Sequence, residues 1–109
     1  MTAAMNEYGL SEKTMGNIYR ILKRYPEVEK AVIYGSRAMG NYREGSDIDM
    51  TLLGSGLSYD ILGKILGDLD DSSIPYLFDV SIYDRLKSDS LRDHINRRGK
   101  VLYDRNQDY

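Results

Sequence analysis

The stretch Tyr34 to Leu53, YGSRAMGNYREGSDIDMTLL, decides how the rest of the chain is read. An apolar run, Ala31-Val32-Ile33-Tyr34, stops at Gly35-Ser36. After a loop rich in turn residues the chain resumes as Asp47-Ile48-Asp49-Met50-Thr51-Leu52-Leu53. Side chains alternate between the faces of a strand, so Asp47, Asp49 and Thr51 project one way and Ile48, Met50 and Leu52 the other. One face suits a ligand and the other a core. Asp is depleted in strands, and two carboxylates on one face repel each other. A cation between them offsets that repulsion, and oxygen donors spaced in this way suit Mg²⁺ better than a softer metal. Gly35 lets backbone amides approach a ligand closely. Ser36 can open a helical turn whose N–H groups and hydroxyl would hold a phosphate. The pairing describes a nucleoside triphosphate site; its bland counterpart is a strand–turn–strand with solvated acids on an open face.

Outward from this stretch, helical and extended patterns alternate. Residues 1–10 lack periodicity and read as a flexible lead-in. Ser11 suits an N-cap, and Met15, Ile18, Leu22 and Tyr25 recur at helical spacing over about Glu12 to Arg24, before Pro26. Glu29 to Tyr34 reads as the first strand, Ser36 to Met39 as a short helical piece, and Asp47 to Leu53 as the second strand. Ser58 can cap a helix whose stripe is Leu57, Ile61, Ile65, Leu66 and Leu69. Beyond Pro75, Tyr76 to Tyr83 reads as a third strand, with Phe78, Val80 and Ile82 on one face and Leu77, Asp79 and Ser81 on the other. Ser88 or Ser90 caps a last helix through about Arg98, Gly99 suits the C′ position, and Lys100 to Tyr103 adds an edge strand. Residues 104–109 read as a polar tail. The expected fold is α/β: one nucleotide-binding domain over 11–103, with a mixed sheet packed by helices.

The composition narrows the chemistry. A chain of 109 residues suits one compact domain. The net charge of −2 and pI of about 5.3 supply no positive field, so direct nucleic-acid binding is not expected. Cysteine is absent, which removes disulfides, thiolate metal sites and Cys nucleophiles. No run is apolar enough for a membrane span and the first residues lack a signal-peptide design, so a cytoplasmic location is expected.

Asp47, Asp49 and Asp79 thus fall on strands. If the second and third strands are neighbours, these carboxylates can converge on two divalent ions about 3.5–4 Å apart, the arrangement for in-line nucleotidyl displacement. Gly35-Ser36, ten intervening residues, Asp47-Ile48-Asp49 and a later strand Asp resemble the signature of the DNA polymerase beta-type nucleotidyltransferase superfamily. The wording GSRAMGNYREGSDIDM and the small size resemble the minimal nucleotidyltransferase (MNT) antitoxins paired with HEPN toxins.

The resemblance implies roles for this chain's residues. Asp47, Asp49 and Asp79 would be catalytic and hold Mg²⁺, two ions in all, with Asp79 helping to activate the nucleophile. Gly35 and Ser36 would grip phosphates of ATP, and Arg37 would contact phosphate with its guanidinium fork. Asp84 competes with Asp79 for the third place. The implied activity is transfer of AMP to a tyrosine of a cognate HEPN toxin, which would be the partner in a hetero-oligomer. Two alternatives stand beside it: an antitoxin that neutralises by binding alone, and a nucleotidyltransferase acting on a small molecule. His94, the sole histidine, reads as a structural residue, and Arg92, Arg97, Arg98 and Lys100 as a solvated basic face. Of ten tyrosines, Tyr34 and Tyr42 are candidates to stack on adenine.

Overall fold

Helix α1 (Glu12–Lys23) forms because Ser11 accepts a hydrogen bond from the Thr14 amide at 3.1 Å, and because Met15, Ile18, Ile21 and Leu22 make one buried stripe. The computed structural model describes residues 5–107. After α1 come β1 (Lys30–Tyr34), the single-turn α2 (Ser36–Met39), β2 (Ile48–Leu53) and α3 (Tyr59–Asp71). Then follow β3 (Phe78–Ile82), a 3-10 turn at Tyr83–Arg85, α4 (Asp89–Arg98) and β4 (Lys100–Asp104). Glu29, expected to begin β1, lies just outside it yet stays tied to the ladder: its amide donates to Leu53 O at 2.8 Å and its carbonyl accepts from Arg105 N at 2.9 Å.

The four strands form one mixed sheet, as the alternation of elements implies, and their order is β3-β2-β1-β4. β1 pairs antiparallel with β2 and with β4, whereas β2 pairs parallel with β3. Parallel neighbours need a crossover, and α3 supplies it. Register sets the two faces. Ile33 opposes Met50, and Met50 opposes Val80; Ile48 opposes Phe78 and Leu52 opposes Ile82. This face packs with Ile18 and Leu22 of α1 and Ile65 and Leu69 of α3 in one hydrophobic core. Leu66, expected on the α3 stripe, is exposed instead.

The opposite face carries Val32 and Tyr34 on β1, Asp49 and Thr51 on β2, and Asp79 and Ser81 on β3. It is not open across its width, because α4 contacts β1 there. Gly99 ends α4 with an extended backbone (φ −67°), not the left-handed C′ conformation expected of it. Glycine is needed for close approach: a Cβ at Gly99 would lie 2.4 Å from Ile95 O and 2.6 Å from Val32 Cγ1.

The N-terminal segment also departs from expectation. Residues 1–4 lie outside those described, but Tyr8 and Leu10 are buried in the core, and the Asn6 side chain accepts from the Tyr8 and Leu10 amides at 2.9 and 3.0 Å. Of the expected tail, Asp104 belongs to β4, and residues 108–109 lie outside those described. No helix among the described residues is long and apolar enough to cross a membrane.

Candidate active site

The C-terminal end of β1 and the N-terminal ends of β2 and β3 meet at one edge of the sheet. Register lines up Tyr34, Asp49 and Asp79 in one row across the three strands, since Tyr34 opposes Asp49 and Asp49 opposes Asp79. Paired residues share a face. Asp47, the residue before β2, lies two positions from Asp49, and its charge is felt there. Asp47 and Asp79 are exposed and Asp49 is half-buried. On the next row, Ser81 Oγ donates to Thr51 Oγ1 at 2.9 Å, locking β2 and β3 together beside the acids.

Electrostatics show how tightly this row is drawn. Burial raises the Asp49 carboxyl above its ordinary range, the charges of Asp79 and Asp47 raise it further, and His94 opposes them. Burial likewise raises the Tyr34 phenol, with Asp79 and Asp49 adding to the effect and a hydrogen bond with Ser81 countering it. A carboxylate so placed favours a proton or a cation.

Gly35 turns the chain from β1 into α2 at φ +75°, a conformation that other residues adopt only with strain. A Cβ there would stand 2.6 Å from Asp49 Oδ2. The glycine therefore sets both the bend and the packing of the acid against it. Ser36 opens α2, and Gly35 as its N-cap offers no side-chain cap hydrogen bond to the turn. The Gly-Ser bend and Asp47, Asp49 and Asp79 thus come together at one sheet edge. Asp84 sits past the other end of β3, in the 3-10 turn.

Arg37 is not brought to this surface. Its guanidinium is buried, at 2% exposure, and donates to the carbonyls of Ser46, Tyr8 and Gly9. It also lies over the rings of Tyr76 and Tyr42, 4.5 and 5.2 Å from their centroids. A fork engaged on backbone has no open side for phosphate, which corrects its expected contact. Tyr42 packs against that guanidinium, so of the two aromatic candidates only Tyr34 stands in the acid row. Among the described residues no group of three His, Cys, Asp or Glu side chains could hold a metal ion. The donors are nonetheless hard oxygens of the kind Mg²⁺ takes, and Mg²⁺ is commonly held by one or two carboxylates plus substrate phosphates.

His94, read from the sequence as a structural residue, lies beside the acid row. Its ring meets Tyr34 edge-on, with centroids 6.1 Å apart and planes at 79°, next to Asp49. A single histidine in a polar helix gave no signal, since only the packing of α4 on β1 carries it there. The basic residues beside it are largely engaged: Arg92 binds Asp89 at 2.6 Å, Arg97 binds Asp93 at 3.1 Å, and Lys100 lies 3.7 Å from Glu7.

Comparison with known proteins agrees with this geometry. No curated protein matches the chain. Among solved structures, a chain of a toxin–antitoxin crystal structure with AMP-PNP superposes with a TM-score of 0.69 at 22% identity, over 85% of this chain and 75% of that one. A chain from the crystal structure of an MntA–HepT toxin–antitoxin gives 0.57 at 19% identity, over 86% and 73%. A chain from a complex of tri-AMPylated Shewanella oneidensis HEPN toxin with MNT antitoxin gives 0.57 at 19% identity, over 85% and 71%. At such identities the likeness is one of fold. The family model "Polymerase beta, Nucleotidyltransferase" matches residues 16–108, a span that takes in the Gly-Ser bend and all three strand-associated acids, and the chain therefore belongs to that nucleotidyltransferase family.

Proposed function

We propose that the protein is an Mg²⁺-dependent nucleotidyltransferase that moves AMP from ATP to a tyrosine hydroxyl of a cognate HEPN toxin, acting as its antitoxin in the cytoplasm. The observation that carries this reading is the in-register pair of Asp49 and Asp79 beside Asp47 and the Gly35-Ser36 bend. Like charges directly opposite one another cost stability, and a site for cations accounts for their being there. Chains that share the fold come from a complex of a tri-AMPylated HEPN toxin with an MNT antitoxin and from a toxin–antitoxin with AMP-PNP. These support a nucleotide and a HEPN partner for this chain as well.

In the reaction, the tyrosine oxygen attacks the α-phosphorus of ATP, the bond from that phosphorus to the bridging oxygen of the β-phosphate breaks, and pyrophosphate leaves. Asp79 accepts the phenolic proton. Asp47 and Asp49, with Asp79, would hold Mg²⁺, two ions in all; when bound, the metal would neutralise the triphosphate and acidify the attacking hydroxyl. Gly35 and Ser36 seat the β- and γ-phosphates.

With ATP, Mg²⁺ and the cognate HEPN protein, mass spectrometry should find the partner heavier by whole AMP groups, and Asp47→Asn or Asp49→Asn should abolish the gain. An unmodified partner that is still neutralised by both variants would favour an antitoxin that acts by binding alone. Mg²⁺-dependent ATP binding, lost on substitution of Ser36 or Asp47, separates the two readings.

A further inference from the structure

Arg37 is the largest fully buried side chain among the described residues, and it makes no ion pair with a carboxylate there. Burying an unpaired cation is costly, and an apolar side chain of similar volume would fill the same space at lower cost. What the guanidinium adds is direction. Its Nε and Nη2 both donate to Ser46 O, at 3.0 and 2.8 Å, on the residue that precedes Asp47. Its Nη1 donates to Tyr8 O at 2.9 Å and to Gly9 O at 3.3 Å. One face lies over Tyr76, three residues before Asp79, and Tyr42 of the α2–β2 loop provides a second ring. The loop is braced to present its carbonyl, because Ser46 N donates to Arg43 O at 3.0 Å and Arg43 N donates to Ser46 Oγ at 2.8 Å.

We infer that Arg37 is the positioning residue of the site: from beneath, one planar cation ties the Gly35-Ser36 bend to the two segments that deliver Asp47 and Asp79. The chain crosses this point three times, before α1, before β2 and before β3, where backbone pairing is sparse: a single Met5–Ser11 bridge closes the first segment, and Ile48 N donates to Leu77 O at 2.9 Å between the other two. Four N–H bonds and two ring contacts aim them together. Lysine keeps the charge but has neither the planar fork nor the stacking surface, so it would fill the space without aiming the segments.

The binding arm of the test rests on the nucleotidyltransferase reading, whereas the exchange arm does not. Amide hydrogen exchange is measured on the wild type, Arg37→Lys and Tyr76→Leu, together with Mg²⁺-dependent binding of a non-hydrolysable ATP analogue well below each variant's melting temperature. In Arg37→Lys, exchange should quicken in residues 40–49 and 75–80 while α3 keeps its protection, and analogue affinity should fall about 10- to 100-fold, as when an outer support of a metal site is removed. Tyr76→Leu, which spares the backbone bonds, should quicken exchange in 75–80 alone, and it decides the matter if the lysine variant does not fold.

Unchanged exchange in those segments overturns the inference. So does a loosening that spreads equally through α3, which would make Arg37 a general core residue, or an affinity that stays within about twofold of wild type. A wild-type protein that binds no nucleotide would overturn the proposed function, and the exchange pattern would still decide the role of Arg37.

Discussion

Asp49 bears most of the electrostatic cost of the site. Its folded carboxyl holds a proton more tightly than the ordinary value of 3.8 allows, through burial first and then Asp79 and Asp47. The folded state therefore binds more protons than the unfolded state between that value and the folded one. Stability falls as pH rises through this window and stays level above it. Asp49→Asn should remove the penalty, leaving the free protein about 0.5 kcal/mol more stable at pH 7 in urea titrations, a modest gain because the site is partly exposed. Nucleotide binding should be lost at the same time. A variant less stable than wild type at pH 7 would sink the repulsion account. Gly35→Ala tests the neighbouring bend: with φ at +75° and Asp49 Oδ2 at 2.6 Å from the new Cβ, it should cost about 1–3 kcal/mol in thermal unfolding and displace Asp49. Of the candidate site residues, Asp47, Asp49 and the Gly-Ser bend stand out by their spacing, whereas Asp79 shared the third place with Asp84 until register set it opposite Asp49. Arg37 could not be placed from the sequence, because a buried and a phosphate-bound arginine look alike until their carbonyl partners are known.

Caps and periodicity explain why the elements lie where they do. Ser11, Ser58 and Ser88 each accept a hydrogen bond from the amide three residues on, at 3.1, 3.2 and 3.1 Å; the first two are recognisable from their place before an amphipathic stripe, and the structure chooses Ser88 over Ser90 for the third. The strand faces follow from alternation in the same way. Gly99 is different, because its role comes from β1 and not from the end of its own helix. Gly99→Ala would drive a Cβ into Ile95 O and Val32 Cγ1, and a backbone carbonyl cannot turn aside. Overpacking of this kind should cost about 1–3 kcal/mol in urea unfolding, and α4 should lift from β1. Separation of the Tyr34 and His94 rings, followed through the His94 imidazole resonances, reports that shift. Resonances unchanged from wild type would count against the packing described.

At the scale of the whole molecule, the segment before α1 belongs to the domain. Leu10 is fully buried, at 0% exposure, and the Tyr8 and Gly9 carbonyls hold Arg37 beneath the site. Leu10→Ala should therefore cost about 2–5 kcal/mol in chemical denaturation, as for other large-to-small core changes. A cost under about 0.5 kcal/mol, the range of ordinary surface changes, would mean that the segment only rests on the core. This integration escaped the sequence because Tyr8 and Leu10 form no periodic run, and two apolar residues in an irregular segment carry no local signature.

The sequence by itself determined the α/β alternation, the starts of α1 and α3, the two-sided strands and the identities of Asp47, Asp49 and the bend in the candidate site. Each of these is written in neighbours within a few positions, where strand alternation, helical spacing and capping chemistry act. Only the tertiary structure decided that β3 lies beside β2 in a register that sets Asp79 opposite Asp49, that α4 brings His94 to Tyr34, and that Arg37 faces inward. Those outcomes depend on contacts between segments far apart in the chain. Burial and register settle such contacts, and no local pattern encodes them.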